Sequence, residues 1–132
     1  MGLTFNKSER LNSKILIDKL FGGGNMAMSV FPLRAIYMLE ERAADDDVAV
    51  QLLISVPKRK LHHAVDRNRM KRQIREAYRL HKQELWDAAL SSGKKVLLAF
   101  VCIDEQPCST EKVSRSVVKI LNRLTDKLGM NG

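Results

Sequence analysis

The segment from Asp66 to about Trp86 constrains the fold of this chain most, because its apolar residues recur at the spacing of a helix. On a helical wheel these side chains span an arc of about 100°, a width that suits packing on a sheet. The arc comprises Met70, Ile74, Ala77, Tyr78, His81 and Leu85. We therefore expect a sheet beneath this helix.

The ends of this helix are also marked in the sequence. Asp66 is a preferred type of N-cap residue, and Val65 and Met70 occupy the positions of a hydrophobic staple around it. The triplet Ser91-Ser92-Gly93 ends the segment, since glycine commonly follows a last helical turn. The prediction is one helix from Arg67 to about Trp86.

Two more helices are indicated near the ends of the chain. Ser8 or Ser13 can cap the first, and the glycines at 22–24 stop it. Its apolar residues are Leu11, Ile15, Leu16, Leu20 and Phe21. Pro107-Cys108-Ser109 leads into the last helix, whose apolar stripe is Val113, Val117, Ile120, Leu121, Leu124 and Leu128.

Strand patterns fill the middle of the chain. Residues 33–39 alternate, residues 48–56 form an apolar run, and Asp45-Asp46-Asp47 provides a turn between them, so we expect these two strands to pair as a hairpin. A short extra strand is possible near Met26 to Val30. The continuous apolar run Val96 to Ile103 suits a buried strand, in which Cys102 packs as a small hydrophobe.

These patterns predict an α+β class, with helices packed on one small mixed sheet. A chain of 132 residues is long enough for one modest core and too short for two ordinary domains, and no linker divides it. We expect a single domain over residues 1–132, with flexible ends at about 1–6 and 129–132.

The net charge of +8 is concentrated in one stretch. Ten of the 23 Lys and Arg, but only two of the 15 Asp and Glu, lie between Lys58 and Lys82. Most of those on the predicted helix, Lys82 among them, share one face, within about 140° of the wheel. A solvated face would intersperse acids, and cations at a helix start oppose its dipole, so this pattern favours phosphate contact over simple solvation.

Other kinds of site are poorly supported by the residues. Two cysteines, Cys102 and Cys108, make neither a disulfide framework nor a four-ligand metal site, and phosphate or solvent contact is the favoured interpretation of His62 and His63. No gathered carboxylates indicate a protein catalytic centre. The lack of long apolar runs argues against a membrane partner or a signal peptide, and we expect a cytoplasmic protein.

The central basic segment also resembles a known family. The run from Arg67 to Arg79, RNRMKRQIREAYR, is similar to the signature of the bacterial ribonuclease P protein. Residues 54–59, Ala64-Val65 and the opening residues 5–11 followed by Leu20-Phe21 agree with it as well. The resemblance implies an α-β-β-β-α-β-α fold with a left-handed βαβ crossover.

The resemblance further implies a protein subunit that joins a catalytic RNA and assists removal of the 5′ leader from precursor tRNA. The RNA would perform the chemistry with Mg²⁺ in its own active site, and no obligate protein partner is evident. The implied contacts to the catalytic RNA are Arg67, Asn68, Arg69, Lys71, Arg72, Arg75, Arg79 and Lys60. The implied leader cleft contains Phe21, Tyr37, Lys58, Arg59 and Ile17, although Phe21 and Tyr37 are equally readable as core.

Two alternatives remain open from the residues themselves. A basic helix on a small α+β domain would also serve a non-enzymatic RNA-binding module, such as a ribosome-associated protein. A DNA-binding regulator would place the same helix in a major groove, but a helix-turn-helix partner and a dimerisation stripe are missing.

Overall fold

The fold is built on a four-stranded sheet in which the most apolar strand is central. The computed structural model describes residues 7–22 and 25–131, and side chains as far as residue 129. The strands are β1 (Met26–Val30), β2 (Leu33–Glu41), β3 (Val50–Ser55) and β4 (Lys94–Cys102), in the spatial order β1-β2-β4-β3. β4 pairs antiparallel with β2 and parallel with β3.

Three helices cover one face of this sheet and form the main core with it. They are α2 (Ala64–His81), α3 (Gln83–Ser92) and α4 (Thr110–Asn131). The predicted stripe of α4 is confirmed, because all six of its members are buried in this core. Four members of the predicted arc of α2, Met70, Ile74, Ala77 and Tyr78, are buried there too, whereas His81 is exposed.

The other face of the sheet carries α1 (Lys14–Phe21), and a short 3-10 helix, Lys7–Glu9, precedes α1 and contacts β3. Ser13 is the N-cap of α1, as one of the two predicted alternatives, and accepts a hydrogen bond from Leu16 N at 3.5 Å. Leu16, Ile17 and Leu20 pack on Leu97 and Ala99 of β4 in a second, smaller core. Ile15, which was predicted to be on the apolar stripe, is 79% exposed.

The predicted hairpin between the second and third strands is wrong. β2 and β3 do not pair, because β4 lies between them. β4 is apolar on both of its faces. A central position in the sheet therefore buries more of its apolar surface than a position at the edge would. The 26–30 strand is confirmed and pairs with β2 instead.

The single helix predicted over Arg67 to Trp86 begins earlier and is broken. α2 starts at Ala64, so Asp66 lies in its first turn and does not cap it, and Val65 is 77% exposed instead of forming a staple. Lys82 separates α2 from α3. α3 extends to Ser92, so the predicted helix end at about Trp86 is wrong. The predicted stop at Ser91-Ser92-Gly93 is confirmed, since Gly93 adopts φ 71°, and its N–H bonds Leu90 O at 3.3 Å.

The observed architecture confirms the α+β class predicted from the sequence. Residues 1–6 and 132, where flexible ends were predicted, lie outside the described part of the chain, while α4 extends to Asn131. The parallel strands β3 and β4 are joined through α2 and α3, so the segment with the greatest positive charge is the crossover between them.

Candidate nucleic-acid interface

The outer side of α2 presents the predicted cations to solvent. Asn68, Arg69 and Arg72 are exposed, opposite the buried Met70 and Ile74. Lys71, Arg75 and Arg79 are partly buried along its flanks. Helix packing alone therefore turns a set of guanidinium groups outward, where each can donate paired hydrogen bonds to phosphate oxygens. We call this set, Asn68, Arg69, Lys71, Arg72 and Arg75, the α2 face.

Arg67 has a structural contact as well as a charge. Its Nη1 donates to Leu61 O at 2.9 Å and to His62 O at 2.8 Å. These bonds hold the loop between β3 and α2 against the first turn of the helix. The guanidinium has five N–H donors, so this bracing leaves further donors for a ligand.

Two predicted RNA contacts form ion pairs within the protein. Arg79 bonds Glu76 one turn earlier, at 3.1 Å from Nε to Oε2, and this hydrogen bond lowers the pKa of the Glu76 carboxyl. Lys60 lies 3.7 Å from Glu105, which is largely exposed. Both pairs are at the surface, where such contacts contribute little and a polyanion can compete for the cation.

A cavity of about 300 Å³ opens beside the α2 face, along the edge of β3. Lys71 and Arg75 of α2 line the cavity, together with Arg10 and Asn12 from the segment that precedes α1. Arg75 Nε is buried here without a hydrogen-bond partner. Three cationic groups and an amide around one opening make it suited to a phosphate group.

A buried ion pair positions the segment that carries Arg10. Lys82 Nζ lies 2.6 Å from Glu9 Oε1, and both side chains are only 2% exposed. The next residues join the edge of β3, where Leu11 N donates to Leu52 O at 2.9 Å. Lys82 was predicted to share the cationic face, and this is wrong, because its charge is used inside the protein.

The face of the sheet next to α1 keeps an uncovered strip. Ser29, Arg34, Val101 and Ser55 face one another across the four strands by register. Ser29 and Arg34 are exposed, and the other two are partly exposed. Lys58 and Arg59 are exposed in the turn that follows β3. We call this strip, with Arg34 at its centre, the open sheet face.

The remaining predicted cleft residues are distributed over both faces of the sheet. Ile17 belongs to α1 and packs on the side of the sheet that carries the open sheet face. Phe21 is the last residue of α1 and is 44% exposed. Tyr37 is 2% exposed and belongs to the main core on the opposite face. Of the two interpretations of Tyr37, the core is confirmed and the cleft is wrong, because its ring is buried in the core that the helices form with this face.

The sequence interpretation missed Arg10, Asn12 and Arg34. Alternation along β2 was a usable signal for Arg34, since Leu33, Ala35 and Tyr37 fall on one side and Arg34 on the other. Arg10 and Asn12 come together with α2 only through the fold. No local pattern indicates that contact.

Within the described residues, no group of three or more His, Cys, Asp or Glu side chains could hold a metal ion. His62 and His63 are both exposed. Cys102 and Cys108 are free and buried, and Cys108 Sγ lies 2.7 Å from Asp104 Oδ2. Among the described helices, none is long and apolar enough to cross a bilayer.

Comparison with known proteins supports the family resemblance seen in the sequence. The family model described as Ribonuclease P matches residues 5–125 of the chain. A ribonuclease P protein component of Porphyromonas gingivalis is 39% identical over 121 residues, covering 90% of this chain and 85% of the relative. One from Chlorobium phaeobacteroides is 37% identical over 87 residues, covering 63% and 57%.

The fold is also similar to solved structures. The RNase P protein of Staphylococcus aureus superposes with a TM-score of 0.65 at 20% identity, covering 89% of this chain and 95% of that chain. A mutant of the same S. aureus protein gives a TM-score of 0.66 at 19% identity, covering 89% and 88%. At this identity the structural likeness supports the fold alone.

Proposed function

This chain belongs to the ribonuclease P protein family, and on that premise we propose that it is the protein subunit of a ribonucleoprotein that removes the 5′ leader from precursor tRNA. Family membership supports a role in tRNA processing with ribonuclease P RNA. The proposal adds which surface meets which RNA and where the chemistry takes place. It includes a cytoplasmic location, where precursor tRNA is processed.

The observation that carries the proposal is the α2 face together with its adjoining cavity. Arg69 and Arg72 are exposed, and Lys71, Arg75 and Arg10 surround an opening at the edge of β3. We assign this surface to the phosphates of the catalytic RNA. Arginine pairs with phosphate oxygens in a fixed planar geometry, so such a cluster holds a folded RNA in one orientation.

The open sheet face is the better surface for the leader. It is a shallow strip with Arg34 at its centre, Lys58 and Arg59 at one end and the exposed ring of Phe21 beyond α1. A single strand binds such a surface by backbone charge and by stacking, with little dependence on its sequence. Phe21, which was already expected in the cleft, keeps this role in the proposal, and Arg34 takes the place of Tyr37.

We assign the cleavage step to the RNA subunit, with Mg²⁺ bound there. The chain's own residues would bind and orient RNA and reduce the repulsion between two polyanions. The aspartates at 45–47 do not form a metal cluster, since Asp46 is paired with Lys95 at 2.5 Å and neither neighbour joins it.

Reconstitution tests the proposal. The protein is added to ribonuclease P RNA at low Mg²⁺, and release of the 5′ leader from precursor tRNA is followed. We expect the protein to raise the rate of cleavage, because it supplies positive charge that Mg²⁺ otherwise provides. If the RNA alone cleaves equally fast at every Mg²⁺ concentration, the proposed function is wrong and a ribosome-associated role becomes the better hypothesis.

A matched pair of variants assigns the effect to the α2 face. Arg69→Gln with Arg72→Gln removes two exposed charges from that face, and Lys94→Gln with Lys127→Gln removes two charges elsewhere. The first variant should need more Mg²⁺ for the same cleavage rate, whereas the second should behave like the unmodified chain. Equal impairment of the two would show that only the total charge matters.

A further inference from the structure

An aromatic side chain stands exposed at the edge of the sheet that is farthest from β3. Phe31 lies in the turn between β1 and β2 and is 53% exposed. Lys112 Nζ of α4 lies 4.7 Å from the centroid of its ring. A cation over an aromatic ring is a favourable contact, and exposed rings among cations are a common element of nucleotide-binding surfaces.

The helix beside this ring carries a stripe of cations. Lys112, Arg115, Lys119 and Arg123 follow one another at spacings of three or four residues, and all four are exposed. We call them the α4 stripe. With a rise of 1.5 Å per residue, the stripe is about 16 Å long. Such a row can neutralise several successive phosphates of an extended strand.

Packing fixes the ring and the stripe relative to each other. Ser116 Oγ donates to Val30 O at 2.5 Å, which ties the first half of α4 to the end of β1. Between them lies a cavity of about 260 Å³, lined by Val30, Phe31, Lys112, Arg115, Ser116 and Lys119. Three of the six lining residues are cations and none is acidic.

The acids beside this cavity offset the charge of Lys112 but leave the cavity positive. Asp104 interacts with Lys112, and the Cys108 thiol donates to the same carboxylate. Glu111 precedes Lys112 and is exposed outside the cavity lining. Arg115 and Lys119 are therefore the main charges that face the opening.

This surface is separate from both surfaces assigned above. α4 packs on β1 and β2, whereas α2 packs on β3 at the opposite edge of the sheet. The open sheet face is on the other side of the sheet from α4. A ligand here would occupy neither the α2 face nor the open sheet face.

We propose that Phe31 and the α4 stripe form a further binding site for single-stranded RNA, in which one base stacks on Phe31 and the adjoining phosphates contact Arg115 and Lys119. The inference rests on the proposed function only in that the partner is RNA. Its ligand is an unpaired segment, because a base within a duplex does not expose its flat face to a side chain.

Charge and shape favour this ligand over two others. An anionic membrane would be expected to meet a broad apolar face beside the cations, but the apolar side of α4 is buried in the core and Phe31 is a single exposed ring. An acidic peptide would use the cations but would not use the flat ring.

A tryptophan probe tests the site directly in the full-length chain. Phe31→Trp is built into the Arg69→Gln, Arg72→Gln background, so that the α2 face competes less for ligand, and octauridylate is titrated while fluorescence is read. The same background with Phe31 intact corrects for Trp86, which is buried. We expect saturable quenching of the introduced tryptophan that weakens as salt increases.

Two companion variants make the result specific. Arg115→Gln with Lys119→Gln should weaken the quenching titration at least several-fold, and Phe31→Ala should lower octauridylate affinity about 5-fold or more, the lower limit expected for one stacked base. Circular dichroism checks that each variant is folded. Absence of quenching in a folded protein, or equal quenching by polyglutamate or by anionic vesicles, would overturn the proposal.

The outcome is separable from that of the proposed function. If the protein stimulates leader release but octauridylate does not quench the introduced tryptophan, the additional site is wrong and the family role stands. If quenching occurs without any stimulation of leader release, the RNA site stands and the proposed function is wrong.

Discussion

At the scale of single residues, Arg67 differs from its neighbour Arg72 because it braces the loop before the helix. Its two bonds, to Leu61 O and His62 O, both come from Nη1, which the planar guanidinium holds in a fixed position. Arg72 instead lies exposed on the outer side of α2, where its charge faces solvent. The two positions should therefore respond differently to lysine, which keeps the charge.

Arg67→Lys should loosen the loop while leaving the net charge unchanged. We expect faster amide hydrogen exchange over residues 58–62 and weaker binding to ribonuclease P RNA with an unaltered salt slope. Arg72→Lys is the matched control and should leave exchange in the loop as it was. Identical exchange in both variants would contradict the bracing role.

Cys108 should be a poor nucleophile. Burial, followed by the hydrogen bond to Asp104, raises the pKa of its thiol to about 12, so the thiolate is scarce at neutral pH. Alkylation by iodoacetamide at pH 8, followed by mass spectrometry, should be slow in the folded chain and fast in denaturant. Asp104→Asn removes the nearby negative charge and should speed the reaction; an unchanged rate would rule out an effect of that carboxylate.

Residue roles were predictable where they depend on helical periodicity alone. The exposed positions of Asn68, Arg69 and Arg72 follow from the wheel, and so do the buried Met70 and Ile74. Tyr37 was included in the leader cleft, although its alternation with Ala35 along β2 indicated the core face of the sheet. Arg10 could not be assigned at all, because its partners on α2 lie about 60 positions away in the sequence.

At the scale of elements, the break between α2 and α3 falls at Lys82, whose side chain is buried. Its ammonium group is drawn into the core by Glu9, beside the ring of Trp86 at 5.4 Å. No wheel predicts this, since a lysine among arginines is normally solvated. The same pair holds the segment that delivers Arg10 to the cavity beside α2.

Glu9→Gln should be strongly destabilising. It leaves the Lys82 ammonium buried without its counter-charge, which in comparable pairs costs about 3–5 kcal/mol in the free energy of unfolding. The measurement is urea denaturation at pH 7.

Glu9→Leu with Lys82→Met removes both charges and should be less destabilising than Glu9→Gln alone. A single variant as stable as the unmodified chain would contradict the importance of the pair.

The loop between β2 and β3 has an acid-sensitive contact. Asp46 Oδ2 lies 2.5 Å from Lys95 Nζ, and Val48 N donates to Oδ1 at 3.0 Å. These bonds, Lys95 first, lower the pKa of the Asp46 carboxyl below its ordinary value. The carboxylate therefore stabilises the fold above the unfolded-state pKa of about 4, and the effect disappears as pH falls through the lower folded-state value.

Asp46→Asn should accordingly lower the urea midpoint at pH 7 and matter progressively less as the pH falls below 4. Asp45→Asn, in the same turn but exposed, is the matched control and should change the midpoint little at either pH. A decrease for Asp46→Asn that is equally large at pH 2 and pH 7 would show that the carboxylate charge is not the cause.

Strand pairing was the least predictable feature at this scale. Turn residues between two apolar runs favour a hairpin, and the aspartates at 45–47 provided that signal. The local pattern carries no information about β4, which begins about 40 residues after β3 and separates the two strands. The positions of the strands along the chain followed from periodicity. Which strands pair with each other depended on the burial of β4, which is distant in sequence.

At the scale of the whole molecule, three surfaces around one sheet carry about half of the Lys and Arg residues: the α2 face, the open sheet face and the α4 stripe. The α+β class was predictable because both helical and strand patterns occur, and three strand segments follow one another along the chain. The separation of these surfaces was not, because it depends on which helix covers which edge.

Salt dependence should report how many phosphates the α2 face engages. For the chain binding ribonuclease P RNA, Arg69→Gln with Arg72→Gln should flatten the plot of log K against log salt by about 0.7–0.9 for each phosphate that is no longer neutralised. Lys94→Gln with Lys127→Gln should keep the slope. Unchanged slopes for both folded variants would argue against phosphate contacts at this helix.

The central position of β4 also governs when the molecule can assemble during synthesis. β4 is the last of the four strands to be made, and β2 and β3 have no common sheet until it has left the ribosome. A nascent chain that has emerged from the ribosome as far as Ser92 would already expose every arginine of α2 without the completed sheet that holds that helix in place. Such an intermediate is exposed to a cell full of polyanions, so late closure by β4 marks the interval in which a newly made chain is most open to a premature partner.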